Sequence, residues 1–235
     1  MTPVRTPFLH AIRAGALASA LLAAAYALAA EPFAVRVGAE KIVLDAPAGF
    51  SDTGDLASPR LQDLASTLTA ASNRVLLFAL SDADVRRFMQ GDQLDARRYM
   101  VAATPKAAER ESYGIAQFGA FAADSLRTLG KPAQPDDVLK YLEQQPIGRV
   151  NLLAELRRDP NAVSVLQGIR LPPLEGASFW DKPRPQYQLS TTTLLLVRGK
   201  ALQLSVFTLF AEPGDADWLR TVTQRWTDEL LRLNR

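Results

Sequence analysis

The sequence predicts an α+β protein, an α/β/α sandwich with a largely antiparallel central sheet and helices on both faces. Three observations predict it. TTTLLLVRGKALQLSVFTLF, Thr191 to Phe210, is two apolar runs held apart by Arg198-Gly199-Lys200, which reads as a long hairpin with those residues at its tip. Neither run reaches the length of a membrane helix, so a bilayer would leave its backbone groups unpaired. RVLLFAL, Arg74 to Leu80, is apolar at consecutive positions, as a central strand covered on both faces must be. Leu219, Val222, Trp226, Leu230 and Leu233 form a helical stripe that needs a sheet to lie on.

In chain order, Arg5 and Arg13 precede an uncharged Ala/Leu run from Ala14 to Ala30, with Ala27 and Ala29 at the small-residue positions of an A-x-A site. The segment reads as a secretory signal peptide spanning 1–29, cleaved after Ala29, with an uncleaved anchor as the alternative. One α/β domain, 30–235, is expected to remain, located in the periplasm or secreted, with no membrane span.

FAVRV (Phe33 to Val37) and KIVLDAP (Lys41 to Pro47) read as an opening hairpin, and AGFSDTGD as loop. Ser58-Pro59 supplies an N-cap and a first-turn proline for a helix carrying Leu61, Leu64, Leu68 and Ala71. After the RVLLFAL strand, Ser81 caps a short helix ending at Gly91, and RRYMVAAT is the next strand. Ile115, Phe118, Ala122, Leu126 and Leu129 recur at helical spacing, and Pro135-Asp136-Asp137 starts a further helix. Asp159-Pro160-Asn161 marks a second hairpin between VNLLAELRR and AVSVLQGIRL. LPPLEGASFWDKPRPQYQ, Leu171 to Gln188, reads as an ordered irregular loop, too apolar for a free linker. The final helix is capped by Asp215 or Asp217.

Charge and composition narrow the chemistry. The chain holds 27 Lys+Arg and 25 Asp+Glu. Arg5 and Arg13 leave with the signal peptide and no acid does, so the remainder is neutral and gives no argument for nucleic acid. The chain has no Cys, and its only histidine, His10, lies in the expected signal peptide. Ser-His-Asp triads, Cys-His pairs and zinc sites with His or Cys ligands therefore lack their groups. No S-x-x-K, phosphate-binding loop or G-x-G-x-x-G occurs. Carboxylate chemistry stays open, and no cofactor is implied.

VLDAPAGF near the start, and a terminal hairpin followed by DADWLRTVTQRWTDELL, give an order that resembles the PsbP-like family of α/β/α sandwiches. Pro47, Gly49 and Phe50 match the Pro-x-Gly-aromatic opening of that family. The resemblance implies an accessory or binding role in an exported compartment.

Two groups of residues are candidate sites. Asp82/Asp84 and Asp215/Asp217 form two Asp-Ala-Asp copies, readable as calcium ligands or, because both stand where a helix begins, as caps. Phe179, Trp180 and Arg184 lie in the proline-rich loop, where rigid aromatics beside an arginine suit a ligand-binding hot spot; the two aromatics could instead fold inward as a plug of the sheet edge. The expected function is an exported, non-catalytic binding or accessory protein with a protein or glycan partner in the cell envelope. The rivals are a carboxylate-based hydrolase and a structural subunit of an envelope assembly.

Overall fold

A computed structural model describes residues 31–174 and 184–235. Strands β1 (Phe33–Val37) and β2 (Glu40–Leu44) pair antiparallel as a separate two-stranded sheet, the expected opening hairpin. A turn follows in which Phe50 N–H donates to Pro47 C=O at 3.0 Å, and β3 (Phe50–Asp52) begins the main sheet. The reading of AGFSDTGD as loop is thereby corrected. Phe50 is buried against Trp218, and Asp52 accepts from Phe78 N–H at 3.0 Å, so tertiary contacts hold this short polar segment extended.

The other strands are β4 (Asn73–Ser81), β5 (Arg98–Pro105), β6 (Val150–Asp159), β7 (Ala162–Leu174), β8 (Arg184–Val197) and β9 (Lys200–Leu209). They form a seven-stranded sheet in the order β3-β4-β5-β9-β8-β7-β6, antiparallel at every pairing. The fold is α+β, and β8 and β9 lie near the sheet's centre.

The tip of the long hairpin is shorter than expected. Val197 pairs with Lys200, leaving Arg198 and Gly199 as a two-residue turn with φ of 48° and 74°. That left-handed pair matches the right-handed twist of the flanking strands, and glycine adopts it without a Cβ clash. Lys200 is therefore a strand residue. Its buried Nζ donates to Glu109 C=O at 3.1 Å and Glu111 C=O at 2.6 Å, tying the hairpin end to the chain ahead of the next helix.

The irregular loop expected over Leu171 to Gln188 is also corrected. β7 continues to Leu174 and β8 begins at Arg184, paired from Leu171–Gln186 to Leu174–Arg184. Pro172 and Pro173 fall in the register shift between those pairs, where an absent N–H breaks no regular ladder.

Five α-helices are described: α1 (Pro59–Thr67), α2 (Asp82–Met89), α3 (Ile115–Arg127), α4 (Val138–Glu143) and α5 (Pro213–Leu233). Ser81 accepts from Asp84 N–H at 3.1 Å and Asp137 from Lys140 N–H at 3.0 Å, as caps should. Ser58 precedes α1 but makes no side-chain capping bond, so Pro59 alone marks that start. The N-cap of α5 is Glu212. Asp215 is the third residue of the helix and accepts from the N–H groups of Ala211 (3.0 Å) and Glu212 (3.2 Å).

Helices cover both faces of the sheet. On the first, α5 lays Leu219, Trp226 and Leu230 over Leu204, Val206, Leu189 and Leu195, joined by α4 and the β1–β2 sheet. Each such side chain, fully buried, contributes about 1.5–3 kcal/mol. Gly168 permits the α4 contact: a Cβ there would stand 3.0 Å from Leu142 and Leu153 side-chain carbons. On the second face, α1 and α2 cover Phe78, Leu80, Tyr99 and Val101, while α3 covers Val163, Leu194 and Leu196. These are separate clusters, and the sheet between them carries the candidate site.

Candidate functional site

Strand alternation decides what reaches the space on the second face between the end of α1 and the β6–β7 strands. The register β5–β9–β8–β7 aligns two rows across the second face, Tyr99–Phe207–Ser190–Gln167 and Val101–Ser205–Thr192–Val165. Gln188 and Gln203 share that face. The rows floor a groove of about 270 Å³, bounded on one side by Leu68 to Asn73 after α1 and on the other by Val150 and Ile169.

Among the described residues, no charged side chain lines this groove. Its polar floor is amide and hydroxyl, and the internal bonds are long: Thr192 Oγ1 and Ser190 Oγ to Gln167 Oε1 at 3.2 and 3.5 Å, Gln188 Nε2 to Tyr99 OH at 3.3 Å, and Gln203 Nε2 to Ser205 Oγ at 3.3 Å. Strong bonds of these types measure about 2.7–3.2 Å from N–H and about 2.5–3.0 Å from O–H. Tyr99 stacks on Phe207 with centroids 4.5 Å apart and planes 14° from parallel. Burial pushes the Tyr99 phenol above its ordinary value, with the Gln188 bond opposing it. The hydroxyl therefore stays neutral at physiological pH.

The carboxylates singled out in the sequence do other work. Asp84 accepts from Ser81 Oγ at 2.8 Å and Asp95 N–H at 3.2 Å, and Asp82 from Ser51 Oγ at 2.7 Å. Asp215 adds to its capping bonds an ion pair with Arg98 at 2.8 Å, while Asp217 pairs with Arg220 at 3.2 Å. Burial pushes the Asp215 carboxyl up, but the Ala211 and Glu212 N–H groups and Arg98 outweigh it, so it lies below the ordinary value. Arg98 also lies over the Trp218 ring, 4.1 Å from its centroid. Among the described residues, no three acids converge as a metal-binding group would.

A different carboxyl stands apart. Asp45 faces a cleft between the chain after β2 and α5, and its Oδ1 is buried without a partner. Burial raises its pKa, and Glu229 adds to the rise against the Ala46 N–H.

Of the residues proposed from sequence, Phe179 and Trp180 lie outside the described residues. Arg184 is exposed at the first position of β8, opposite Leu174, and is not part of the groove lining. Sequence reasoning counted Thr192, Gln203 and Ser205 as the alternate side of two strands and missed the site they make. A signal was available: a solvated strand face carries Lys, Glu or Arg, whereas Gln188, Ser190, Thr192, Gln203 and Ser205 are all polar and uncharged.

No family model and no curated protein matches the chain. Two solved structures do. One is the Ran-binding protein Mog1p of Saccharomyces cerevisiae, 14% identical with a TM-score of 0.36 over 87% of this chain and 95% of that one. The other is a point variant of Mog1, 13% identical with a TM-score of 0.37 over 86% and 94%. Both carry the name Mog1 and neither the PsbP name, and the expected resemblance to the PsbP-like family is corrected accordingly. The residues that carried it serve general structural purposes: Pro47 to Phe50 close a turn, and the C-terminal segment is an amphipathic helix packed on a sheet.

Proposed function

We propose that this chain is an exported, non-catalytic binding protein whose ligand occupies the groove on the second sheet face, between the end of α1 and the β6–β7 strands. The observation that carries the reading is the lining: amides, hydroxyls and the Phe207 ring on the middle of the sheet, walled by apolar side chains such as Leu68, Val150 and Ile169, with no ionised side chain among the described residues. Such a surface recognises a neutral polar ligand by hydrogen bonds and ring contact. General acid–base and nucleophilic chemistry need a titratable group or a base-activated hydroxyl, and among the described residues the side-chain partners of Ser190, Thr192 and Ser205 are the amides of Gln167 and Gln203. The carboxylate-hydrolase reading finds less support, because the acids of both Asp-Ala-Asp copies are engaged in capping bonds and ion pairs. Export rests on Arg5, Arg13 and the apolar run before Glu31.

Two experiments test the proposal. Titrating ¹⁵N-labelled protein with a panel of neutral and charged small polar compounds should shift the side-chain amide signals of Gln167, Gln188 and Gln203 with neutral members. Filling the groove by Ser190→Phe should abolish those shifts while the backbone spectrum stays folded. A response confined to charged compounds, or turnover of any panel member, would overturn the reading. Intact mass of protein from the host envelope should correspond to cleavage after Ala29; a full-length species defeats the export claim.

A further inference from the structure

Resting on the groove reading, we infer that the ligand is a neutral oligosaccharide segment and that Phe207 is the platform on which one sugar ring sits. Phe207 stands between Tyr99 on β5 and Ser190 on β8 in one cross-strand row. Tyr99 stacks against one of its faces, and the opposite face fronts the hydroxyl and amide row of β8 and β7. A ring held from behind by another ring loses little freedom when a ligand settles on it. The face of a pyranose presents C–H groups, and its rim presents hydroxyls that both donate and accept.

The fringe around Phe207 has the complementary valence. Each glutamine amide offers two donors and an acceptor, and each hydroxyl offers both. Gln167 commits its oxygen to Thr192 and Ser190, while among the described residues its nitrogen makes no hydrogen bond. Gln188 and Gln203 donate at 3.3 Å and, among the described residues, their amide oxygens make no bond. Sugar hydroxyls can replace these long contacts with shorter ones.

The same features disfavour other ligands. Anionic sugars and phosphates are recognised by Arg or Lys forks, and among the described residues none lines the groove. An extended peptide binds by adding to a strand edge, whereas β9 and β8 already pair on both sides. The volume, about 270 Å³, lies just below the range of roughly 300–1,000 Å³ for small-molecule pockets, which suits one or two rings of a longer chain.

The test is an array of neutral hexose, N-acetylhexosamine and pentose oligomers, with oligogalacturonate and N-acetyl-trialanine amide as controls, followed by NMR and calorimetric titration of the hits. At least one neutral oligomer should shift the Gln167, Gln188 and Gln203 amide signals. Phe207→Leu should weaken it by roughly tenfold or more, the scale of a hot-spot aromatic. Gln167→Leu keeps the test decisive if Phe207→Leu proves unstable, because it removes the fringe while leaving the Tyr99–Phe207 stack in place. Binding of the trialanine amide in the groove, with no neutral oligomer bound, would overturn the glycan class and leave the neutral-ligand groove standing, whereas binding of the galacturonate alone would overturn the neutral-ligand reading as well. Silence from every compound would overturn both.

Discussion

The two faces of the main sheet are made by the same strands and treat their polar residues in opposite ways. Along β8, Thr191 and Thr193 point to the face under α5, and Ser190 and Thr192 to the face between α1 and α3. Under α5 each hydroxyl has a close, buried partner: Thr191 with Thr223 at 2.6 Å, and Thr193 with Ser164 at 2.7 Å. Across the sheet the hydroxyls hold loose bonds in an open groove. Polar groups placed for stability find each other on folding; polar groups left weakly engaged are available to something else.

The largest effect expected from this contrast comes from placing one charge on each face. Val206 is 1% exposed, between Met100 and Thr191 in the first-face row. Val206→Asp buries a carboxylate with no counter-ion, at a cost of several kcal/mol against a typical total of about 5–15 kcal/mol, and the protein should barely fold. Ser190→Asp puts the same charge in the groove, where water reaches it, and should cost about 1 kcal/mol or less. Thermal melts of the two variants decide the matter. Similar losses would mean that the groove is part of the core.

The helices on both faces were legible in the sequence, and the groove on the second face was not. The stripe Leu219, Trp226, Leu230 and the run Arg74 to Leu80 announce burial because apolar periodicity reports directly on a packed interface. The hairpin tip was legible through Arg198-Gly199, but Lys200 was assigned to it because a lysine reads as exposed. Only the two carbonyls 89 and 91 residues away that receive its Nζ explain why it is buried. The groove depends on which strands become neighbours. Tyr99 and Phe207, like Ser190 and Gln167, meet only once β5 pairs with β9 and β7 with β8, and no local pattern encodes that order. β3 was missed for the same reason, since its three residues are held extended by partners across the sheet.

A smaller effect separates the hydroxyls themselves. Thr223→Val keeps the shape of the side chain under α5 and strands the Thr191 hydroxyl, which is fully buried, so it should cost about 1–3 kcal/mol. The double variant Thr191→Val/Thr223→Val removes both polar groups and should recover most of that loss. Thr192→Val, the neighbour on the groove side, should change stability by about 0.5 kcal/mol or less. Chemical denaturation of the three variants and wild type measures all three values. A Thr192→Val loss equal to that of Thr223→Val would show both faces to be built for stability alone.

The smallest effect concerns a polar group that, among the described residues, breaks the rule on the α5 side. Asp45 leaves Oδ1 buried and unpaired beside Trp226, whose indole N–H donates at 2.8 Å to the Asp45 backbone carbonyl and not to the carboxylate. Burial raises the carboxyl above its ordinary 3.8, so the folded protein binds that proton more tightly than the unfolded chain does. The neutral form is thus favoured by folding; its contribution is complete below the ordinary value and is lost as pH rises through the folded one. Asn cannot ionise. Asp45→Asn should therefore raise the melting temperature at neutral pH, and the gain should shrink on acidification as the wild-type carboxyl takes up its proton. Asp215 has the opposite sign: its folded pKa is lowered, so Asp215→Asn should be destabilising at neutral pH, with the deficit closing as pH falls through the folded value. Melts of both variants and wild type from about pH 3 to pH 7 check the two slopes together. If Asp45→Asn instead lowers stability at neutral pH, the carboxylate has a partner in solution, and the cleft beside Trp226 becomes a second polar site to set against the groove.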